Sequence, residues 1–326
     1  MSDPITWQPS ASLATLARRA RLLSEIRAFF AARNIPEMDI PVLGLTGVTD
    51  VHIDCPELAA PCRGYLQSSP EYFMKRLLAA GSGSIYCLGK VFRGAELGAR
   101  HYPEFTMLEW YRVDWDEHQL MREVGELLVT LGVAGAQQNF TRLTYQDIFQ
   151  ERTALNPHSC ALVELTRLAG EIANRDFADQ DRATCLDLIF SMYIEPALPK
   201  GIVFVHDYPA CQAALAETAT LADEPSGGAV VVARRFEVFV DGMELANGYY
   251  ELTDALTLRQ RFELDNQRRR QRAKNTVELD ENLLAAMTAG LPPCAGVALG
   301  VDRLLMNLVG ADKIQQVLLF ADLGAG

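Results

Sequence analysis

Two stretches of alternating apolar residues, 85–92 and 105–113, lie on either side of a polar, charge-rich loop, 93–104. Alternation with a period of two marks strands with one buried face, and the loop between them is long enough to wrap a ligand. A second pair of stretches, 230–240 and 249–252, flanks Asp241-Gly242, a dipeptide that accepts the backbone angles of a tight hairpin. Helical spacing surrounds these strands. Leu13, Leu16, Ala20, Leu23, Ile26 and Phe30 recur through 12–33, Pro36 and Pro41 bracket an extended segment after it, and 117–131, 162–172, 184–193 and 254–272 also read as helices. Residues 202–205 read as another strand. Strand pairs alternating with helices, without regular βαβ units, predict an α+β fold in which an antiparallel sheet is flanked by helices. A single domain over 1–326 is expected, with a mostly helical insertion near 140–200 that carries little catalytic vocabulary.

Composition narrows the function classes. The chain of 326 residues is 49% hydrophobic, enough to bury a large core without metal or disulfide staples. Its seven cysteines form no CxxC pair, and only Cys55 and Cys62 are close neighbours, so neither a disulfide framework nor a zinc site is favoured. No basic-then-apolar leader opens the sequence and no apolar run nears the roughly 18 residues of a membrane span, so the cytoplasm is expected. A net charge of −12 gives no global attraction for a polyanion. P-loop and GxGxxG patterns are both missing, so any nucleotide needs another scaffold.

Chemistry concentrates in three segments. The first is Val91-Phe92-Arg93-Gly94-Ala95-Glu96, followed by Arg100-His101-Tyr102-Pro103-Glu104-Phe105-Thr106-Met107-Leu108-Glu109-Trp110-Tyr111. On a strand, Phe105, Met107, Glu109 and Tyr111 share one face and point into one cavity. In the second, Glu237 and Glu244 flank the hairpin turn, where paired strands bring carboxylates together to hold Mg²⁺ beside substrate phosphates. The third, Gly296-Val297-Ala298-Leu299-Gly300-Val301-Asp302-Arg303, reads as a glycine-rich strand running into a helix, with Arg303 at the helix start facing a phosphate.

Together these segments resemble the three signature motifs of class II aminoacyl-tRNA synthetases, in the lysyl-tRNA synthetase branch. Motif one is the opening helix with the segment to Pro41, motif two runs from Phe92-Arg93 to Tyr111, and motif three from Gly296 to Arg303. The resemblance implies that Arg93 grips the ATP α-phosphate and the amino-acid carboxylate. His101 and Glu104 fall in its ATP loop, Phe105 stacks beneath adenine, Arg303 clamps from the other side and Glu237 and Glu244 bind Mg²⁺. For the amino acid it implies Ser69, Glu71, Glu109, Tyr111, Asn247, Tyr249, Glu251 and Ala298. Three carboxylates then serve two ammonium groups, which suits a lysine-like substrate, because a buried ammonium is costly unless paired.

Departures redirect the expected acceptor. The motif-one helix begins too close to Met1 for the anticodon-binding domain of a lysyl-tRNA synthetase, which makes tRNA an unlikely partner and brings the chain near the shorter elongation factor P lysine ligases. Ala298 replaces a glycine of the tRNA synthetases and Ser69 a common alanine, so the resemblance implies β-lysine, in the (R) form, over α-lysine. Ala95 stands where the pattern has glutamate, and Glu96 is the candidate replacement. The resemblance further implies ATP and Mg²⁺ as cofactors, elongation factor P as acceptor and a homodimer built on motif one. Arg268, Arg269, Arg270, Arg272 and Lys274 form a basic run that reads either as a solvated face or as a docking patch. Two rival readings stand: the same chemistry on tRNA or another amine, and a non-catalytic sensor of ATP or lysine.

Overall fold

The computed structural model describes residues 7–94, 97–133, 140–223 and 228–323. Ala95 and Glu96, and with them the question of a replaced glutamate, lie outside the described residues.

Helix α1 (Leu13–Ala31) starts where Ser12 Oγ accepts the Thr15 amide at 3.1 Å, satisfying a donor that the first turn leaves free. Its inward row is Arg19, Leu22, Ile26, Phe29 and Phe30, while Leu13 and Ala20, placed on the apolar face by spacing, are exposed. Three short strands, β1 (Leu43–Gly44), β2 (Glu57–Leu58) and β3 (Gly64–Leu66), make a small sheet before α2 (Glu71–Ala79). The long pair follows as expected: β4 (Ile85–Phe92) and β5 (Glu104–Val113), antiparallel, with Phe92 opposite Glu104. Helix α3 (Glu117–Thr130) is closed by a capping box between Asp116 and Gln119.

The segment read as a helical insertion holds α4 (Tyr145–Thr153), α5 (Leu162–Ala173) and α6 (Arg182–Ile189), but it opens with a strand, β6 (Thr141–Thr144). That strand pairs parallel with β7 (Ile202–Pro209), the one parallel pair of an otherwise antiparallel sheet among the described residues. α6 ends earlier than its periodicity suggests, because Phe190–Ile194 widens into a π-turn that leads to Glu195. After β8 (Thr218–Asp223), β9 (Gly228–Val240) and β10 (Met243–Tyr250) form the expected hairpin. Asp241 and Gly242 take φ of 52° and 79°, the two-residue turn that lets β10 start at once rather than at Tyr249. Helices α7 (Ala255–Gln271) and α8 (Glu281–Gly290), strand β11 (Cys294–Gly300) and α9 (Val301–Val309) complete the frame. The sheet order is β4-β5-β11-β10-β9-β7-β6, with β8 on β9.

Alternation divides the sheet into two faces. Leu108, Trp110, Phe204, Phe236, Val238 and Leu299 pack on one side with residues of α1, α3 and α9. On the other side two smaller clusters form, one under α2, α7 and α8 around Tyr111 and Phe262, the other under α4, α5 and α6 around Val205 and Phe239. Between those two clusters the sheet is left uncovered, and the cavity opens there.

One polar tie crosses the main core. Arg19, 5% exposed, donates to Asp302 Oδ1 and Thr106 Oγ1, each at 2.6 Å, while Asp302 Oδ2 accepts the Thr106 amide at 2.5 Å. α1, β5 and the start of α9 are thereby joined, one residue before Arg303. Removing one member of a buried pair strands the other charge, so Arg19→Met is expected to cost about 3 kcal/mol in urea unfolding. A loss below about 1 kcal/mol would mean that water reaches the pair. No described helix is long and apolar enough to cross a membrane.

Candidate active site

A cavity of about 690 Å³ lies on the uncovered stretch of sheet. Arg93, His101, Phe105, Glu244 and Arg303 line one end, Ser69, Glu71, Glu109, Tyr111 and Glu251 another, with Asn247, Tyr249 and Ala298 among the other liners. Strand parity accounts for the grouping. Ala298 stands opposite both Glu109 and Asn247, and Gly296 opposite both Tyr111 and Tyr249, so four pairings across three strands aim these side chains at one volume. Gly296 has to be bare: a Cβ there would meet Tyr111 at 2.4 Å and Glu251 at 2.5 Å.

Glu244 reaches the cavity by a different device. Simple alternation back from Asn247 puts it on the opposite face, but the β9–β10 register shifts between Glu244 and Ala246. Leu245 and Ala246 both enter the main core, and this extra residue turns Glu244 to the cavity side.

At the same end, Arg93 follows β4, with its backbone amide bonded to the Pro103 carbonyl at 2.9 Å. Its guanidinium lies 5.2 Å from the Phe105 ring centre, and its buried Nε has no hydrogen-bond partner among the described residues. A buried donor without a partner is costly, so this arginine is built for an acceptor that the described residues do not supply. Arg303 is held instead: Nη1 donates to the Glu244 carbonyl at 3.0 Å and its Oε2 at 3.2 Å, and Nη2 lies 2.8 Å from the His101 ring nitrogen. Arg100, another cavity liner, adds a third guanidinium.

At the carboxylate end, Glu109 is 2% exposed and accepts from Ser69 Oγ and the Tyr111 hydroxyl, each at 2.7 Å. No cation pairs with it among the described residues. Burial first, then the charge of Glu71, pushes its pKa up to about 8. Ser69 Oγ also accepts the Glu71 amide at 3.0 Å, fixing the start of α2 against β5. The other two acids are not free. Lys75, 1% exposed, places Nζ 2.7 Å from both Glu71 Oε1 and Glu251 Oε2. Burial opposes its charge, but Glu251 and Glu71 outweigh that and hold its pKa above the ordinary value. Burial, relieved by Lys75 and reinforced by Glu71, raises Glu251 to about 7.

Two expected residues stand outside the cavity lining. Glu104 lies one residue from Phe105 on β5, hence on the other face, and pairs with Lys90 at 3.1 Å on the surface. Glu237 sits on the cavity face of β9 but is taken up by Arg235 and by the Tyr208 hydroxyl, the latter at 2.7 Å. Burial raises its pKa, Arg235 lowers it and Glu244 raises it again. Glu195, after the π-turn, is lifted to about 7 by burial and then by Glu244 and Glu237. Among the described residues no three acids, histidines or cysteines converge as a metal cage. Two carboxylates that sense each other near the arginines suit Mg²⁺ that draws most of its ligands from phosphates and water.

Sequence reasoning missed Lys75 and Arg235. Lys75 left a signal, since it follows Glu71 by four residues on a helix, the spacing of a same-face ion pair. Arg235 faces Tyr249 across the hairpin and donates Nε to Asn247 Oδ1 at 3.2 Å, a relation only the register shows. The basic run divides. Arg269 and Lys274 both bind Asp54 at 2.9 Å and belong to the fold, Arg268 and Arg272 line the cavity, and Arg270 is exposed.

The chain belongs to the class II tRNA synthetase family (D, K and N), whose model matches residues 5–323. Its relatives include the elongation factor P–(R)-β-lysine ligases of Salmonella paratyphi B (strain ATCC BAA-1250 / SPB7), Salmonella heidelberg (strain SL476) and Salmonella schwarzengrund (strain CVM19633). Each is 43% identical over 330 residues, covering 98% of this chain and 98% of the relative.

Proposed function

We propose that this chain is an ATP-dependent ligase that activates (R)-β-lysine as its adenylate and transfers it to the ε-amine of a lysine on elongation factor P. Full-length similarity to ligases of that name supports the substrate and the acceptor. The observation that carries the chemistry is the shared cavity of Arg93, whose Nε lacks an acceptor among the described residues, and Glu109, a buried carboxylate without a cation among them. One asks for an anion and the other for an ammonium, so the ligand brings both.

The substrate carboxylate attacks the α-phosphorus of ATP in line. A carboxylate–phosphorus bond forms, the bond to the departing pyrophosphate breaks, and Arg93 stabilises the charge gathered on the α-phosphate oxygens. Arg303 holds the outer phosphates, exchanging its contacts to Glu244 and His101 for phosphate oxygens, and Phe105 offers a ring for adenine. Glu244, with Glu237 behind it, would hold Mg²⁺, which when bound neutralises charge on the triphosphate. In the second step the acceptor amine attacks the acyl carbon, an amide forms, AMP leaves and the amine proton passes to solvent. No side-chain nucleophile takes part, and positioning supplies most of the rate.

The chain is further proposed to be one cytoplasmic catalytic unit working as a homodimer. Trp7, Leu13, Phe320 and Leu323 are all more than half exposed, and the segments bearing them are tied together by the Ser10 amide on the Leu319 carbonyl at 2.8 Å. Exposed apolar side chains on joined segments support association through this surface.

Incubation with ATP, Mg²⁺, (R)-β-lysine and purified elongation factor P, followed by intact mass measurement, is expected to add one lysyl residue to elongation factor P. Addition to tRNA instead, or ATP consumption without any acylated product, would overturn the assignment.

A further inference from the structure

Lys75 stands outside the cavity lining but holds two of the slot's three carboxylates. Its ammonium sits between Glu71 and Glu251 with almost no exposure, on the side of α2 that packs with Tyr72, Met74 and Leu78 into an apolar cluster. For packing alone a leucine or methionine would serve, since a buried ion pair is seldom more stabilising than apolar residues of its volume. Three carboxylates surround the slot, and Lys75 is the only described cation paired with any of them. The cavity arginines that form ion pairs among the described residues do so elsewhere, Arg235 with Glu237, Arg303 with Glu244 and Arg268 with Asp181 and Asp265.

We propose that Lys75 is a positioning residue that sets the specificity of the slot: it fixes Glu71 and Glu251 in place and cancels one of three negative charges, so the space left matches two ammonium groups rather than one or three. The inference rests on the amino-acid-activating function proposed above. An activated diamino acid carries two ammonium groups and no carboxylate, because its carboxyl is joined to phosphate, and so it neutralises the slot. A mono-amino analogue leaves one buried carboxylate without a counter-charge, which has to take up a proton instead. The titratable groups facing Lys75 are Glu71 on its own helix, Glu251 after β10, Glu109 and Tyr111 on β5, Tyr249 on β10 and Cys294 on β11. Burial keeps the two phenols and the thiol protonated through the working range, so the carboxyls alone respond to pH.

ATP–pyrophosphate exchange between pH 6 and 9 tests this, with (R)-β-lysine and with its analogue lacking the terminal amine. Wild type is expected to prefer the diamino acid increasingly as pH rises. In Lys75→Met the slot keeps three carboxylates for two ammonium groups, so binding the diamino acid needs an extra proton, and kcat/KM falls about tenfold per pH unit on the alkaline side. The KM for ATP stays at the wild-type value. In Lys75→Met/Glu251→Gln, which removes the fully buried pair together and leaves only the part-exposed Glu71 without its cation, the alkaline fall disappears and the diamino preference remains. A Lys75→Met enzyme that is uniformly slower with an unchanged pH profile would reduce Lys75 to a structural residue and end the proposal, as would a double variant that no longer discriminates. If wild type itself shows no exchange with any diamino acid, it is the proposed function that fails.

Discussion

Arg93→Ala is expected to lose about 10³-fold in kcat/KM for ATP–pyrophosphate exchange, near 4 kcal/mol of transition-state stabilisation. The fold is expected to survive, because the guanidinium gives up no hydrogen bond from its buried Nε and only a stacking contact 5.2 Å from the Phe105 ring. Such a contact is worth about 0.5–1 kcal/mol at most sites, and removing a buried, unpaired donor offsets part of it. Melting temperature and exchange rate measured on one preparation separate the two effects. Residual exchange within tenfold of wild type would mean that another group, such as Arg100 on the cavity wall, carries the α-phosphate.

Glu109→Gln has the next largest expected effect, and it falls on the amino acid alone. The glutamine still accepts from one of the Ser69 and Tyr111 hydroxyls and donates to the other, but it has no charge for the ammonium, so kcat/KM for (R)-β-lysine is expected to drop about 10²–10³-fold with the KM for ATP unchanged. The raised acid predicts a pH signature as well. Its pKa moves from an ordinary 4.5 to about 8 in the folded, ligand-free protein. Between those values the folded state holds a proton that the unfolded chain has released. The stabilisation is complete below pH 4.5 and lost as pH climbs through 8, with a slope of about 1.4 kcal/mol per pH unit for one group. Unfolding free energy should therefore fall between pH 5 and 8 in wild type and fall less in Glu109→Gln. A bound ammonium favours the ionised acid, so substrate binding at pH 7 should expel a proton. Calorimetry in two buffers of different ionisation enthalpy reads that proton directly. Equal heats in both buffers, or equal pH slopes in the two proteins, would show Glu109 to be ionised before the substrate arrives.

Much of this architecture was legible because it follows from short-range rules. The periodicity of Ile85–Phe92 and 105–113 gave both strands nearly to the residue, and the shared face of Phe105, Met107, Glu109 and Tyr111 came from parity alone. The Asp241-Gly242 turn was equally plain. What stayed hidden depends on registers and on partners far along the chain. Parity also puts Glu104 on the wrong face for the cavity, a consequence that motif resemblance masked. The re-aiming of Glu244 rests on an irregularity between it and Ala246 that local composition does not announce. Arg19 drew no notice in the sequence, because its buried partner, Asp302, lies 283 positions away. Counting acids against ammonium groups was sound reasoning with one cation left out, Lys75.

The bond between Arg19 and Asp302 divides α1 lengthwise in what it will tolerate. Random substitution should find its outward row, with Leu13 and Ala20, permissive in a lone subunit, and the inward position at Arg19 intolerant even of lysine. The same survey should score changes at Asp302 as failures of folding and of catalysis together, since Asp302 shares the buried pair and its neighbour, Arg303, is proposed above to hold the outer phosphates.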